Sequence, residues 1–171
     1  IGTVLSFVPR HVPCGSCETV SRRAADTPRY RMGPRAGQTG ALGTLLEGVA
    51  IASANDAAAA VAEHLAGNEE AFVHRMNTKA QLMGLAATHF ANPHGLPDPL
   101  QRTNAQDMAS LIGQLVTDFP ASRTILGGKT FVFRGRVYAR RIPLFDDPGG
   151  VQALKTGFTN EAGYNLAIAA W

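Results

Sequence analysis

Val151-Gln152-Ala153-Leu154-Lys155-Thr156-Gly157-Phe158 and Tyr164-Asn165-Leu166-Ala167-Ile168-Ala169-Ala170-Trp171 flank the short polar segment Asn160-Glu161-Ala162-Gly163. Two mostly apolar runs around turn residues predict two antiparallel strands, over Val151–Phe158 and Tyr164–Trp171. Leu166-Ala167-Ile168-Ala169-Ala170 is apolar on both faces, which predicts a strand at the centre of a sheet. Gly157 weakens a strand, so its presence predicts close approach by another backbone or by a ligand. Beside it, Lys155 supplies an ammonium and Thr156 a hydroxyl. That pair suits an anionic group such as a C-terminal carboxylate. A free strand edge next to it would pair with an extended peptide.

Upstream, Thr130–Phe133 and Arg136–Tyr138 predict two more strands. Earlier still the period is helical. Leu42, Leu45, Leu46 and Val49 recur at helical spacing. A second helix is predicted from an N-cap at Asn55 or Asp56, through Ala57-Ala58-Ala59-Ala60-Val61-Ala62, to a stop at Gly67. Small apolar residues surround it on nearly all sides, so it should be buried. Asn68 caps a third helix, with Glu69 and Glu70 in its first turn and Phe72, Met76, Ala80 and Met83 along its length. Phe90–Pro99 carries Pro93, Gly95, Pro97 and Pro99 and reads as a loop. Thr103 and Gln106 predict a capping box for a fourth helix lined by Met108, Leu111, Ile112 and Leu115. Arg22–Gly40 reads as a long surface loop, and Ile1–Thr19 as irregular. Helices fill about 41–126 and strands 129–171. This segregation predicts an α+β fold, a helical cluster packed on an antiparallel sheet, rather than alternating βαβ units.

Composition sets outer bounds. A chain of 171 residues fits one domain and can bury a real core. At 45% hydrophobic it should fold, and at 17% charged it is poorer in charge than most soluble domains. The net charge of +3 comes with no aromatic-interleaved basic stripe, which argues against a nucleic-acid partner. No uncharged apolar run approaches the length of a membrane-spanning helix. Cys14 and Cys17 form a C-x-x-C pair, which could be redox-active or half of a zinc site. No second cysteine pair or paired histidine run follows, so neither a metal nor another cofactor is expected.

Ser53-Ala54-Asn55 stands just before the alanine-rich helix. It reads either as plain helix capping or as a hydroxyl and an amide held beside a cleft. With Lys155-Thr156-Gly157 downstream, it reproduces in order the Ser-x-Asn and Lys-Thr-Gly patterns of penicillin-binding proteins and class A β-lactamases. Longer stretches agree. Ile51–Ala58, Thr88-His89-Phe90-Ala91-Asn92-Pro93-His94-Gly95-Leu96 and Ala153–Tyr164 resemble the serine-type D-alanyl-D-alanine carboxypeptidases. The resemblance to these low-molecular-mass penicillin-binding proteins runs from about Val20 to Trp171.

The resemblance implies a β-lactamase/transpeptidase-like domain over 20–171, partial in this chain, preceded by an unrelated segment over 1–19. It implies an enzyme of the cell envelope or periplasm. Such an enzyme removes the terminal D-alanine from peptidoglycan pentapeptide stems through a serine acyl-enzyme and is acylated by β-lactam antibiotics. On this reading the catalytic residues are Ser53, Asn55 and Lys155. Ser53 relays a proton to the leaving D-alanine. Asn55 binds the peptide amide and orients the base, and Lys155 supplies positive potential. Lys155, Thr156, Gly157 and Phe158 form the substrate-binding strand. Thr156 donates to the substrate carboxylate, and the Phe158 N–H forms half of the oxyanion hole. Asn92 and His94 shape the loop.

One departure matters. The family's nucleophile is the serine of Ser-x-x-Lys, and none of Ser6, Ser16, Ser21, Ser53, Ser110 and Ser122 has lysine three residues later. The expectation is therefore a piece of a longer enzyme, inactive and poorly stable alone, whose sheet is incomplete and whose membrane anchoring comes through other parts. A non-catalytic homologue that binds stem peptides, or a β-lactamase-related hydrolase, are the alternatives.

Overall fold

Alanine builds the centre of the molecule. The computed structural model describes residues 17–146, 148 and 150–170, so Cys14 and Trp171 lie outside the described residues. In chain order the elements are β1 (Cys17–Thr19), α1 (Arg22–Asp26), β2 (Thr39–Ala41), α2 (Leu42–Ile51), α3 (Asn55–Ala66), α4 (Glu69–Leu82), α5 (Ala105–Asp118), α6 (Ala121–Gly127), β3 (Thr130–Phe133), β4 (Arg136–Ala139), a 3-10 turn (Pro143–Asp146), β5 (Val151–Thr159) and β6 (Gly163–Ala170). Every residue of α3 from Asn55 to Ala62 is buried. Alanine has the best helix propensity and loses no side-chain entropy on burial. Its small side chains also let α1, α2 and α4 pack around α3. Leu42, Leu45, Leu46 and Val49 of α2 face inward, with Phe72 and Met76 of α4 completing this layer. Gly67 ends α3 at φ 85°, a conformation that favours glycine.

The strands form three two-stranded antiparallel ladders, β1–β2, β3–β4 and β5–β6. The helices-then-strands reading is correct in class. The single sheet it implied is instead three separate pairs among the described residues. β5 and β6 pair from Val151↔Ala170 to Thr159↔Gly163, with Lys155 opposite Ala167 and Gly157 opposite Asn165. The hairpin is anchored by α6 against β5 and α5 against β6. A Cβ on Gly127 of α6 would sit 2.6 Å from the Gln152 carbonyl oxygen, so glycine permits that approach.

Several expectations need correction. The segment taken as irregular to Thr19 already forms β1 at Cys17, paired through Cys17↔Ala41. The loop expected over Arg22–Gly40 contains α1, which Ser21 caps by accepting from the Ala24 N–H at 2.9 Å. Asn55 and Asp56 are not the N-cap of α3; Ala54 is, with no side-chain cap. α5 is capped not by Thr103 but by Asn104, which accepts from the Asp107 N–H at 2.7 Å. Thr103 instead meets the Thr88 hydroxyl at 2.9 Å. The strand expected at a sheet centre pairs only with β5 among the described residues, leaving Leu166 52% and Ile168 50% exposed. An apolar pattern reports what a strand could bury, not what covers it.

Candidate active site

α2 ends in a tight reversal. The Gly48 carbonyl accepts from the Ala52 N–H at 3.1 Å and the Ala54 N–H at 3.0 Å. Ser53, between them, has φ 52°, the left-handed region. For a residue with a side chain this costs about 1 kcal/mol, and such conformations cluster at functional sites. Its hydroxyl does not cap α3. It accepts from the Lys155 ammonium at 2.5 Å, across 102 positions of sequence. The two motifs therefore meet at a direct contact.

The residues beside Ser53 are tied down from the other side. The Asn55 side chain donates to the Pro28 carbonyl at 3.1 Å and the Arg29 carbonyl at 2.6 Å, and its backbone N–H to the Tyr30 carbonyl at 2.7 Å. Asp56 is fully buried and accepts from the N–H groups of Met32 at 3.1 Å, Gly33 at 2.9 Å and Ala57 at 2.8 Å. Tyr138 of β4 donates to the Met32 carbonyl at 2.7 Å. These bonds fix the start of α3 against residues 28–33. The Asn55 amide nitrogen thus faces Pro28 and Arg29, while the Ser53 hydroxyl meets Lys155.

Lys155 is 8% exposed and also donates to the Thr156 carbonyl at 2.6 Å. Burial pushes its ammonium down from 10.5 to about 8, helped by the positive charge of Arg140. Among the described residues no carboxylate pairs with it. The Lys155 ammonium is met there by a hydroxyl and a carbonyl. Thr156, Gly157 and Phe158 follow on the exposed part of β5. Nothing lies within 4 Å of a Cβ built on Gly157, so the close neighbour that glycine suggested is not part of the described chain. The Phe158 ring packs on Tyr164 of β6, centroids 4.5 Å apart.

The loop after α4 forms a second wall. Asn92 accepts from the Gly95 N–H at 2.7 Å and donates to the Leu96 carbonyl at 2.9 Å. His94 accepts from the Leu96 N–H at 3.3 Å and lies 3.5 Å from the Glu69 carboxylate. Both side chains are spent on loop shape. Between this loop and the β5–β6 turn lies a cavity of 770 Å³, whose walls include Leu96, Arg102, Thr159 and Glu161. Among the described residues there is no cluster of three or more His, Cys, Asp or Glu that could hold a metal ion. Nor is any helix there long and apolar enough to cross a membrane.

Sequence reasoning missed Arg140 and the carboxylate of Asp56. Arg140 donates to carbonyls of α2, of the end of α6 and of β5. Its only local signal is the Arg140-Arg141 pair in a chain of low charge.

A family model described as D-alanyl-D-alanine carboxypeptidase matches residues 13–171. The chain is similar to the D-alanyl-D-alanine carboxypeptidase DacA of Haemophilus influenzae, 42% identical over 127 residues, which is 74% of this chain and 32% of that protein. DacA of Escherichia coli K12 is 43% identical over 128 residues, 74% of this chain and 32% of that protein. The chain thus spans about a third of the length of the curated relatives it matches. Among solved structures, penicillin binding protein 5 from Haemophilus influenzae superposes with a TM-score of 0.91 at 32% identity, over 99% of this chain and 52% of that one. DacD from Francisella tularensis superposes at 0.92 and 24% identity, over 99% and 55%, a likeness of fold. With the family match covering almost the whole sequence, the Ser53–Lys155 contact sits in a chain that belongs to the D-alanyl-D-alanine carboxypeptidase family.

Proposed function

We propose that this chain carries the substrate-binding wall of a serine-type D-alanyl-D-alanine carboxypeptidase acting on peptidoglycan pentapeptide stems in the cell envelope. The observation that carries the reading is the buried Lys155 ammonium, hydrogen-bonded to Ser53 and unpaired with any carboxylate among the described residues. Such a site attracts a substrate carboxylate into a low-dielectric corner, where a charged hydrogen bond is strong. Thr156 adds a hydroxyl donor to that carboxylate, and the Phe158 N–H serves one side of the oxyanion hole. Ser53 passes a proton toward the departing D-alanine, and the Asn55 amide oxygen meets the peptide N–H. β-Lactams would occupy the same wall when they acylate the enzyme.

The strand also dictates a direction. The Val151 end of β5 is covered by α6. A peptide whose carboxylate sits at Lys155 and Thr156 therefore runs antiparallel to β5, and its upstream residues pass Phe158 toward the cavity beside Thr159 and Glu161.

Binding of a peptide ending in D-alanyl-D-alanine tests this by calorimetry on the 171-residue chain. The free acid should bind, while its C-terminal amide and the Lys155→Met variant should each weaken binding about tenfold or more, as expected for a lost charged hydrogen bond. Equal affinity for acid and amide would overturn the reading. With fluorescent penicillin this chain should give no covalent band, since none of its six serines precedes lysine by three residues.

A further inference from the structure

Arg140 follows β4 and belongs to neither motif. From Nη1 it donates to the Ala50 carbonyl at 3.2 Å and the Leu154 carbonyl at 2.8 Å. From Nε it donates to the Gly128 carbonyl at 2.8 Å, and from Nη2 to the Leu126 carbonyl. These acceptors belong to the last turn of α2, the end of α6 and β5. The guanidinium carbon lies 5.0 Å from the Phe145 ring centroid. No carboxylate pairs with Arg140 among the described residues. Its charge is met instead by helix-end carbonyls, which carry the negative pole of each helix. A planar fork of five donors can satisfy carbonyls from three elements at once; an ammonium cannot match that geometry.

The location gives this residue its meaning. Ala50 lies three positions before Ser53, and Leu154 immediately before Lys155. We propose that Arg140 is the positioning residue of the cleft, tying the end of α2 to β5 and thereby setting the separation of Ser53 and Lys155. The role of the cleft in substrate binding rests on the reading above; the tie itself does not. Arg140 is also the charged group that acts on the Lys155 ammonium, alongside the Ser53 hydroxyl and the Thr156 carbonyl that bond to it.

The test is a ¹⁵N titration of the Lys155 Nζ in the full chain, with Arg140→Lys and Arg140→Gln beside the wild type. Wild type should titrate near 8. Arg140→Lys keeps the charge and loses the fork. Its Lys155 midpoint should rise by about one unit, as water reaches an ammonium no longer held in place. Arg140→Gln should raise it at least as far. An unchanged midpoint in Arg140→Lys, with only a lower melting temperature, would overturn the proposal, because cohesion alone would move stability and not the titration. If neither variant folds, the wild type still decides. A tied guanidinium should show slowly exchanging Hε and separate Hη signals, and averaged, rapidly exchanging ones would contradict the tie. Failure of the chain to bind D-alanyl-D-alanine peptides would leave this result intact.

Discussion

The two walls of the cleft are finished to different degrees. α3 is enclosed by α1, α2 and α4, and Ala57, Ala58, Ala59, Val61 and Ala62 are wholly buried. The β5–β6 hairpin is packed unevenly: on the face that carries Phe158, Leu166 and Ile168 only its Leu154 end is buried. Lys155 and Ala153 are buried toward the helices, whereas Phe158, Tyr164, Leu166 and Ile168 on the alternate face are 49 to 91% exposed. The difference shows which wall owes its position more fully to packing. The Ser53 wall is fixed by a core and by the bonds of Asn55 and Asp56 to residues 28–33. The Lys155 wall rests on α6 and α5 along part of its length, through buried Ala153 and Leu154, and adds polar ties, among them the Ser53 contact and the Arg140 fork.

The contrast can be broken most forcefully in the helical layer. Phe72 is fully buried, and Phe72→Ala should destabilise the chain by about 4 kcal/mol in urea unfolding, through lost transfer energy and a residual cavity. A loss under about 1 kcal/mol would mean that the layer is not a packed core.

Next comes the pH dependence of the strand wall. The Lys155 ammonium is held at about 8 in the fold, against 10.5 for the free group. Folding therefore disfavours its charged form. The penalty, on the order of 3 kcal/mol, is complete below pH 8 and is relieved as pH rises from 8 toward 10.5. Unfolding free energy should rise between pH 7.5 and 9.5, and Lys155→Met should flatten that rise. A wild-type profile as flat as the variant's would mean that the ammonium is solvated.

The smallest effect should come from the bare face. Leu166 is half exposed, so Leu166→Thr should change stability by less than about 0.5 kcal/mol. A larger loss would show that this face is covered in solution, and the contrast between the walls would fail.

Much of this was legible in the sequence because it is local. The period of Leu42, Leu45, Leu46 and Val49, the alanine run, Asn68 as a cap and the break around Asn160–Gly163 each report their own element. The convergence of Ser53 and Lys155 was legible through family resemblance; periodicity carries no information on contacts 102 residues apart. What stayed hidden was set by tertiary partners. Asp56 looked like a cap because aspartate is a good one, but the N–H groups of Met32 and Gly33 claimed its oxygens. Thr103 lost the cap of α5 to Asn104, its hydroxyl being taken by Thr88. Arg140 recognises carbonyl groups, which every residue has, so no side-chain pattern could announce it. β6 looked central because apolarity on both faces does not say which face the chain covers.

The claim on which the rest stands is the meeting of the α2–α3 corner with β5. Nuclear Overhauser contacts between the ε-methylene of Lys155 and the β-methylene of Ser53 test it directly. The hydrogen bond between their polar ends requires a clear cross-peak in the ligand-free chain. A Lys155 side chain with no contact to Ser53, titrating like an exposed lysine, would contradict the shared cleft and every role assigned to it.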